Sequence, residues 1–185
     1  TIGVDWIAEA ASRLSEYLED YEDFEPRLTS DDQEFELGTE DLPDAFRGCP
    51  VHPEDRRASI IAIWSKEAGS FVFFKLYGLV YGIASAVISF NRLPTLITAV
   101  CRRCFGVMSA AYFDDIPIAD MAAGLSTAQR AVREVLTAVG APPAPSKGSS
   151  PGQYRVFLGT HANTAGVARK KTLRIEPREA TRHNI

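Results

Sequence analysis

Two adjacent acids, Asp114 and Asp115, interrupt an otherwise apolar, strand-like stretch running from Phe105 to Ala119. Residues 105–112 and 116–119 read as short strands, which puts the acid pair at the tip of a hairpin. A carboxylate withdrawn from water without a partner is costly, so this segment must resolve its charge in one of two ways. The tip can be a solvated turn, a setting in which Asp is common. Alternatively, the acids can face a cation. A hard ion such as Mg²⁺ suits them, since it takes oxygen ligands and usually one or two carboxylates.

A second acid cluster bears on that choice. Residues 34–42 alternate as a strand, and Phe35, Leu37, Thr39 and Asp41 share one parity and hence one face. Asp44 follows three residues later. If this strand lies beside the hairpin, Asp41, Asp114 and Asp115 converge on one sheet surface. Such a set could hold two Mg²⁺ ions (Mn²⁺ as a substitute) about 3.5–4 Å apart, the arrangement of in-line phosphoryl transfer.

The remaining elements define the fold class. Residues 3–21 read as a helix with apolar Ile7, Ala11, Leu14 and Leu18 on one side, followed by a polar connector through residue 34. Residues 43–50 read as a tight turn or a short helical segment. The β-rich runs 58–65 and 70–76, joined by a polar link ending at Gly69, read as another hairpin. A loop at 77–81 leads into a long helix over 82–104, which Pro94 is expected to kink or divide. A further helix is expected from Ser126 to Val139, with Ser126 or Thr127 as cap and Gly140 as stop. Residues 141–152 read as a loop and 154–159 as a last strand. The expected class is α+β, an antiparallel sheet with helices packed on one face. The expected domains are an N-terminal helix and acidic connector over 1–33, a central domain over 34–160, and a basic tail, loose or truncated, over 161–185.

Charge and cysteine usage narrow the function classes. Residues 1–40 carry a net charge of −11, residues 41–120 none, and residues 121–185 +7. The basic third, densest at Arg169, Lys170 and Lys171, is either a solvated tail or a contact for a polyanion. Cys49, Cys101 and Cys104 form no even framework, which argues against a secreted disulfide scaffold and favours an intracellular compartment. Cys101 and Cys104 have C-x-x-C spacing, but there is no second pair to complete a zinc site. The uninterrupted apolar runs are too short to span a bilayer. The start at Thr1 suggests a processed or partial product.

Five blocks in order carry a resemblance. The segment from Asp41 to Glu54 (DLPDAFRGCPVHPE) resembles the first palm motif of retrotransposon reverse transcriptases, and Tyr112 to Asp115 (YFDD) resembles their Tyr-x-Asp-Asp box. Between them, Leu79 to Val87 (LVYGIASAV) is similar to the box that opens the family's long palm helix. Residues 140–147 and 156–159 resemble the later Lys-bearing loop and Leu-Gly strand. Glu40 stands where an apolar residue is common, and Val80 where Pro is usual.

The resemblance implies a reverse-transcriptase palm, with fingers, thumb and RNase H regions largely missing, from the polyprotein of a retroelement. It implies RNA-directed DNA polymerase (nucleotidyltransferase) activity on a primer–template with deoxynucleoside triphosphates, with no membrane partner. Asp41, Asp114 and Asp115 would be catalytic and hold the metals. Phe46 would lie under the incoming sugar, unless it is simply a core aromatic. Tyr81 and Gly82 would approach the nucleotide, and Lys147 the triphosphate. The other reading of the same residues is a catalytically inactive or domesticated palm fragment that binds nucleic acid.

Overall fold

A computed structural model of the chain describes residues 5–21, 34–144 and 146–178, the side chains of 17–21 and 169 excepted. The fold is mixed α and β, with antiparallel sheets and a few helices. It divides into two compact units, Thr1–Leu42 with Pro94–Ile185, and Pro43–Leu93. The expected connector over 22–33 lies outside the described residues.

In the first unit, β1 (Phe35–Asp41) pairs along its whole length with β5 (Asp115–Met121), from Phe35 opposite Met121 to Asp41 opposite Asp115. The short β4 (Met108–Ser109) and β6 (Ser149–Gly152) flank them in the order β4-β5-β1-β6. The two faces of β1 bury different things. Ile116 and Ile118, opposite Glu40 and Gly38, are almost fully buried. On that side lies α4 (Thr127–Ala138), which buries Ala128, Gln129, Val132, Val135 and Leu136. Each large aliphatic side chain removed from water there contributes about 1.5–3 kcal/mol. Phe35, Leu37 and Ala119, of the opposite parity, form a cluster with Ile7, Ala10, Ala11 and Leu14 of α1 (Asp5–Tyr21) and with Phe157, Ala162 and Val167. Helices therefore cover both faces of the sheet, not one as the coarse element order led us to expect.

The end of the chain departs most from expectation. Beyond β7 (Tyr154–Phe157) the chain forms β8 (Thr160–Gly166), the short α5 (Val167–Lys170) and β9 (Thr172–Pro177), and the three strands make a second sheet. Over residues 161–178 it is therefore not a loose tail, and the rest of the expected tail lies outside the described residues. Its hydropathy signal is faint because β8 (THANTAG) buries small residues: Ala162 and Thr164 are fully buried, and the Thr164 hydroxyl donates to the Phe35 carbonyl at 2.6 Å. The segment expected as a loop over 141–152 likewise ends in β6, whose pairing is a backbone property that its Ser, Pro and Gly content hides.

Helix α3 (Ala84–Phe105) is one element with Pro94 inside it, so the proline does not divide it. By length and mean hydropathy, 1.3 over 18 residues, it could cross a membrane. Ala86, Phe90, Ile97 and Cys101 form a buried stripe at helical spacing, while Ile88, Leu96 and Phe105 of the same helix are exposed. Neither Ser126 nor Thr127 caps α4 through its side chain. Asp120, on the neighbouring strand, accepts from the Ala128 amide at 3.2 Å. Gly140 ends the helix as expected, at φ 78°.

The second unit holds the expected hairpin, β2 (Ile60–Ser65) and β3 (Ser70–Lys75), in unbroken register with Gly69 at its turn. Its surface is apolar: Ile60, Ile63, Trp64, Phe71, Phe73 and Phe74 are all exposed. Of the two forms expected over residues 43–50, a tight turn or a short helical segment, the chain takes the second, α2 (Ala45–Gly48), entered through Asp44 in the left-handed region. A side chain at Gly78 would collide with the Arg47 backbone, so this close approach requires glycine.

Candidate active site

Asp41 is the last residue of β1 and Asp115 the first of β5, and they are direct cross-strand partners. Side chains of directly opposed residues share a face, so these two carboxylates are neighbours although 74 positions separate them in the sequence. Asp114 comes in at the turn. Tyr112 and Asp115 exchange backbone hydrogen bonds at 2.9 and 3.0 Å, which leaves Phe113 and Asp114 as a two-residue hairpin tip. The Leu42 amide donates to the Asp114 carbonyl at 2.9 Å and fastens that tip to the exit of β1. Phe113 adopts φ 53°, a left-handed conformation costly for a bulky residue, and its ring meets Tyr112 edge-on at 5.1 Å.

The electrostatics follow from this crowding. Burial pushes the Asp115 carboxyl above its ordinary range, and the Asp114 and Asp41 carboxylates push it further in the same direction. Lys147 opposes them. Its ammonium lies 3.1 Å from Asp41 Oδ1, a buried oxygen. The Asp41 side chain is 17% exposed and that of Lys147 57%.

The structure thus brings Asp41, Asp114, Asp115 and Lys147 into one neighbourhood of the first unit. Phe46, Tyr81 and Gly82 belong to the second unit. There Phe46 is buried, its ring 4.7 Å from Phe90 and 4.8 Å from Tyr81. Tyr81 is exposed, and Gly82 has φ 89° with open space where a side chain would be. Asp44 is exposed and pairs with Arg47 at 2.7 Å, a local turn contact. Cys101 is buried and Cys104 exposed, both as free thiols. A cavity of about 660 Å³, lined largely by apolar side chains such as Leu14, Val107 and Met108, lies apart from the acids.

All donors in the acid cluster are carboxylate oxygens, the set a hard cation such as Mg²⁺ or Mn²⁺ prefers. Among the described residues, no three His, Cys, Asp or Glu side chains are drawn closely enough together to enclose an ion. The donor chemistry therefore fits a metal, while the arrangement is open.

A second polar group stands directly behind the acids. Glu40 is fully buried, and its Oε1 accepts from Arg133 Nε at 2.6 Å and from the Gln129 side-chain amide. Gln129 also donates to the Thr39 and Ser149 carbonyls, at 3.3 and 3.1 Å. The sequence reading missed these α4 residues. Their one signal is that Gln129 takes a position on the apolar stripe shared by Ala128, Val132 and Leu136. No protein-family model matches this chain, and no curated protein is significantly similar to it.

Proposed function

We propose that this chain is the palm of a reverse-transcriptase-like polymerase and that Asp41, Asp114 and Asp115 form its metal-binding face. One observation carries the reading: Asp41 faces Asp115 across adjacent strands, with Asp114 at the neighbouring tip. Three acids concentrated where burial already disfavours charge are explained most economically by a cation that they bind.

Bound divalent ions would supply Lewis-acid activation of a primer 3′-hydroxyl and neutralise charge on the triphosphate. The chain's own residues do the rest. The β1–β5 register holds Asp41 and Asp115 at a fixed separation, and the hairpin tip presents Asp114 beside them. Lys147 offsets the charge on Asp41 and, freed from that contact, is a cation of suitable reach for a phosphate oxygen. The nucleotide-contact roles of Phe46, Tyr81 and Gly82 are those the resemblance implies. Primer extension on an RNA template with Mg²⁺ tests the proposal. Asp114→Asn should lower the rate about a hundredfold or more, because loss of a metal ligand removes transition-state stabilisation. Unchanged extension by that variant would refute the metal assignment.

A second reading, an inactive palm fold that binds nucleic acid, is favoured by the net charge of −11 over residues 1–40, which offers little basic surface to a triphosphate ahead of Asp41. It predicts salt-dependent affinity for a primer–template hybrid, because phosphate contacts release counterions, with no extension. Extension by this chain would exclude it.

A further inference from the structure

Strand β6 does not continue the sheet regularly. Leu37 is opposite Gly152 and Thr39 opposite Ser149, so two steps on β1 match three on β6. One extra residue on β6 makes a bulge, which interrupts the ladder at this point. The Gln129 side chain fills the interruption. It is 3% exposed and donates to the carbonyls of both Thr39 and Ser149 and to Glu40. Two amide hydrogens serve three acceptors, so at least one is shared.

The surrounding residues are shaped to this amide. A methyl group added at Gly38 would come within 2.9 Å of Gln129 Oε1. One added at Gly148 would come within 2.9 Å of Glu40 Oε2 and 3.0 Å of the Thr39 carbonyl. Arg133, one helical turn beyond Gln129, donates to the same Glu40 oxygen, Oε1. On β6 itself the Ser149 amide donates to Thr39 Oγ1 at 3.3 Å, and the two hydroxyls lie 2.8 Å apart. Lys147, which reaches Asp41, lies two residues before Ser149. The Ala144 amide, at the start of this segment, donates to the Asp41 carbonyl at 3.4 Å.

We propose that Gln129 is a positioning residue: by bridging the Thr39 and Ser149 carbonyls at the bulge, it fixes the segment that holds Lys147 against Asp41. The functional consequence rests on the polymerase reading; the positioning itself does not. Amide hydrogen exchange of the full chain tests the positioning. In Gln129→Met, which keeps the volume and loses the donors, exchange across residues 144–152 should rise about tenfold while the β2–β3 hairpin is unchanged. Unchanged exchange there in the folded variant overturns the proposal. Gln129→Asn, which keeps the amide but falls short of the bulge, serves the same purpose if the methionine variant does not fold.

The link to Lys147 is tested by Mn²⁺-dependent binding of a fluorescent deoxynucleoside triphosphate in a double-mutant cycle. Gln129→Met should weaken binding about threefold or more alone and have little further effect in Lys147→Ala. A purely structural role would weaken both backgrounds equally, and that result overturns the link. If the unaltered chain binds no nucleotide, the polymerase reading fails, and hydrogen exchange alone decides the positioning.

Discussion

Glu40 and Asp41 are neighbours in sequence and occupy opposite faces of one strand, in surroundings of opposite charge. Glu40 is fully buried among donors: the Arg133 guanidinium, and the Gln129 amide. Asp41 stands among acids, opposite Asp115 and close to Asp114, with Lys147 at ion-pair distance. The charge of the first carboxylate is met within the fold through Oε1, although its Oε2 is buried without a hydrogen-bond partner among the described residues, so its surroundings explain it as architecture. The second belongs to a group whose negative charge exceeds the cation beside it, and such a group calls for something from outside. Identity and burial alone do not separate an acid that builds a protein from an acid that works in it. The charge of its neighbours does.

The largest test of this contrast is on the Glu40 side. Arg133→Met should cost about 3 kcal/mol, the lower end for breaking a buried pair because Arg133 itself is half exposed. Urea denaturation would read the loss. Adding Glu40→Leu should recover most of it, since an apolar pair of similar volume leaves no charge stranded. If Arg133→Met is as stable as the unaltered chain, Glu40 is not balanced in the way its contacts indicate, and the comparison fails.

The contrast was only half visible in the sequence. The strand containing Asp41 and the hairpin tip at Asp114 could be read from alternation and turn chemistry, because Phe35, Leu37 and the apolar flanks of the acids are large enough to set a period. Glu40 reads there only as a departure from an apolar position, because its partners lie 89 and 93 residues away on α4. Pairing at that range is decided by tertiary packing and leaves no local pattern. Asp120 caps α4 from only eight residues away, from the strand that precedes the helix and in place of Ser126, so a search for a cap at the helix start does not find it. Strands β8 and β9 escaped notice for a different reason: Ala and Thr fill the buried positions of β8, so burial there has little hydrophobic contrast. The β2–β3 hairpin was legible because it is rich in β-branched and aromatic residues, although those residues are exposed.

On the Asp41 side, the expected effect is smaller and opposite in sign. Asp115→Asn removes one member of the crowded acids and should stabilise the metal-free chain at neutral pH by about 1 kcal/mol, the scale of a like-charge cross-strand pair. The pH dependence follows from the raised carboxyl. Between its ordinary value of 3.8 and the raised folded value, the native chain holds a proton that the unfolded chain has lost. Stability therefore increases as pH falls through the raised value towards 3.8, and is lowest above it. The asparagine variant should lack this segment of the pH–stability curve, as urea midpoints at a series of pH values would show. The same substitution should weaken Mn²⁺ binding. An increase in stability accompanied by a loss of metal affinity marks an acid kept for its ligand. If both fall together, Asp115 is structural like Glu40, and the two faces of the strand are alike.

The smallest effect expected is at the turn that presents Asp114. Phe113 holds φ 53° in a two-residue tip whose first position ordinarily suits glycine. A bulky residue there is strained by about 1–3 kcal/mol. Phe113→Gly relieves that strain, but it forfeits the edge-on contact with Tyr112 and makes the unfolded chain more flexible. The two losses offset most of the gain, so the net stabilisation should be about 0.5 kcal/mol, read as a slightly higher thermal midpoint. Strain kept at the tip of an acid cluster is informative only if relieving it alters the cluster, so Mn²⁺ affinity should be measured on the same variant. Weaker binding by a more stable chain would show that Phe113 fixes the direction of Asp114. Unaltered binding would make the left-handed turn a local feature of the hairpin, and would leave the β1–β5 register as the element that aligns the acids.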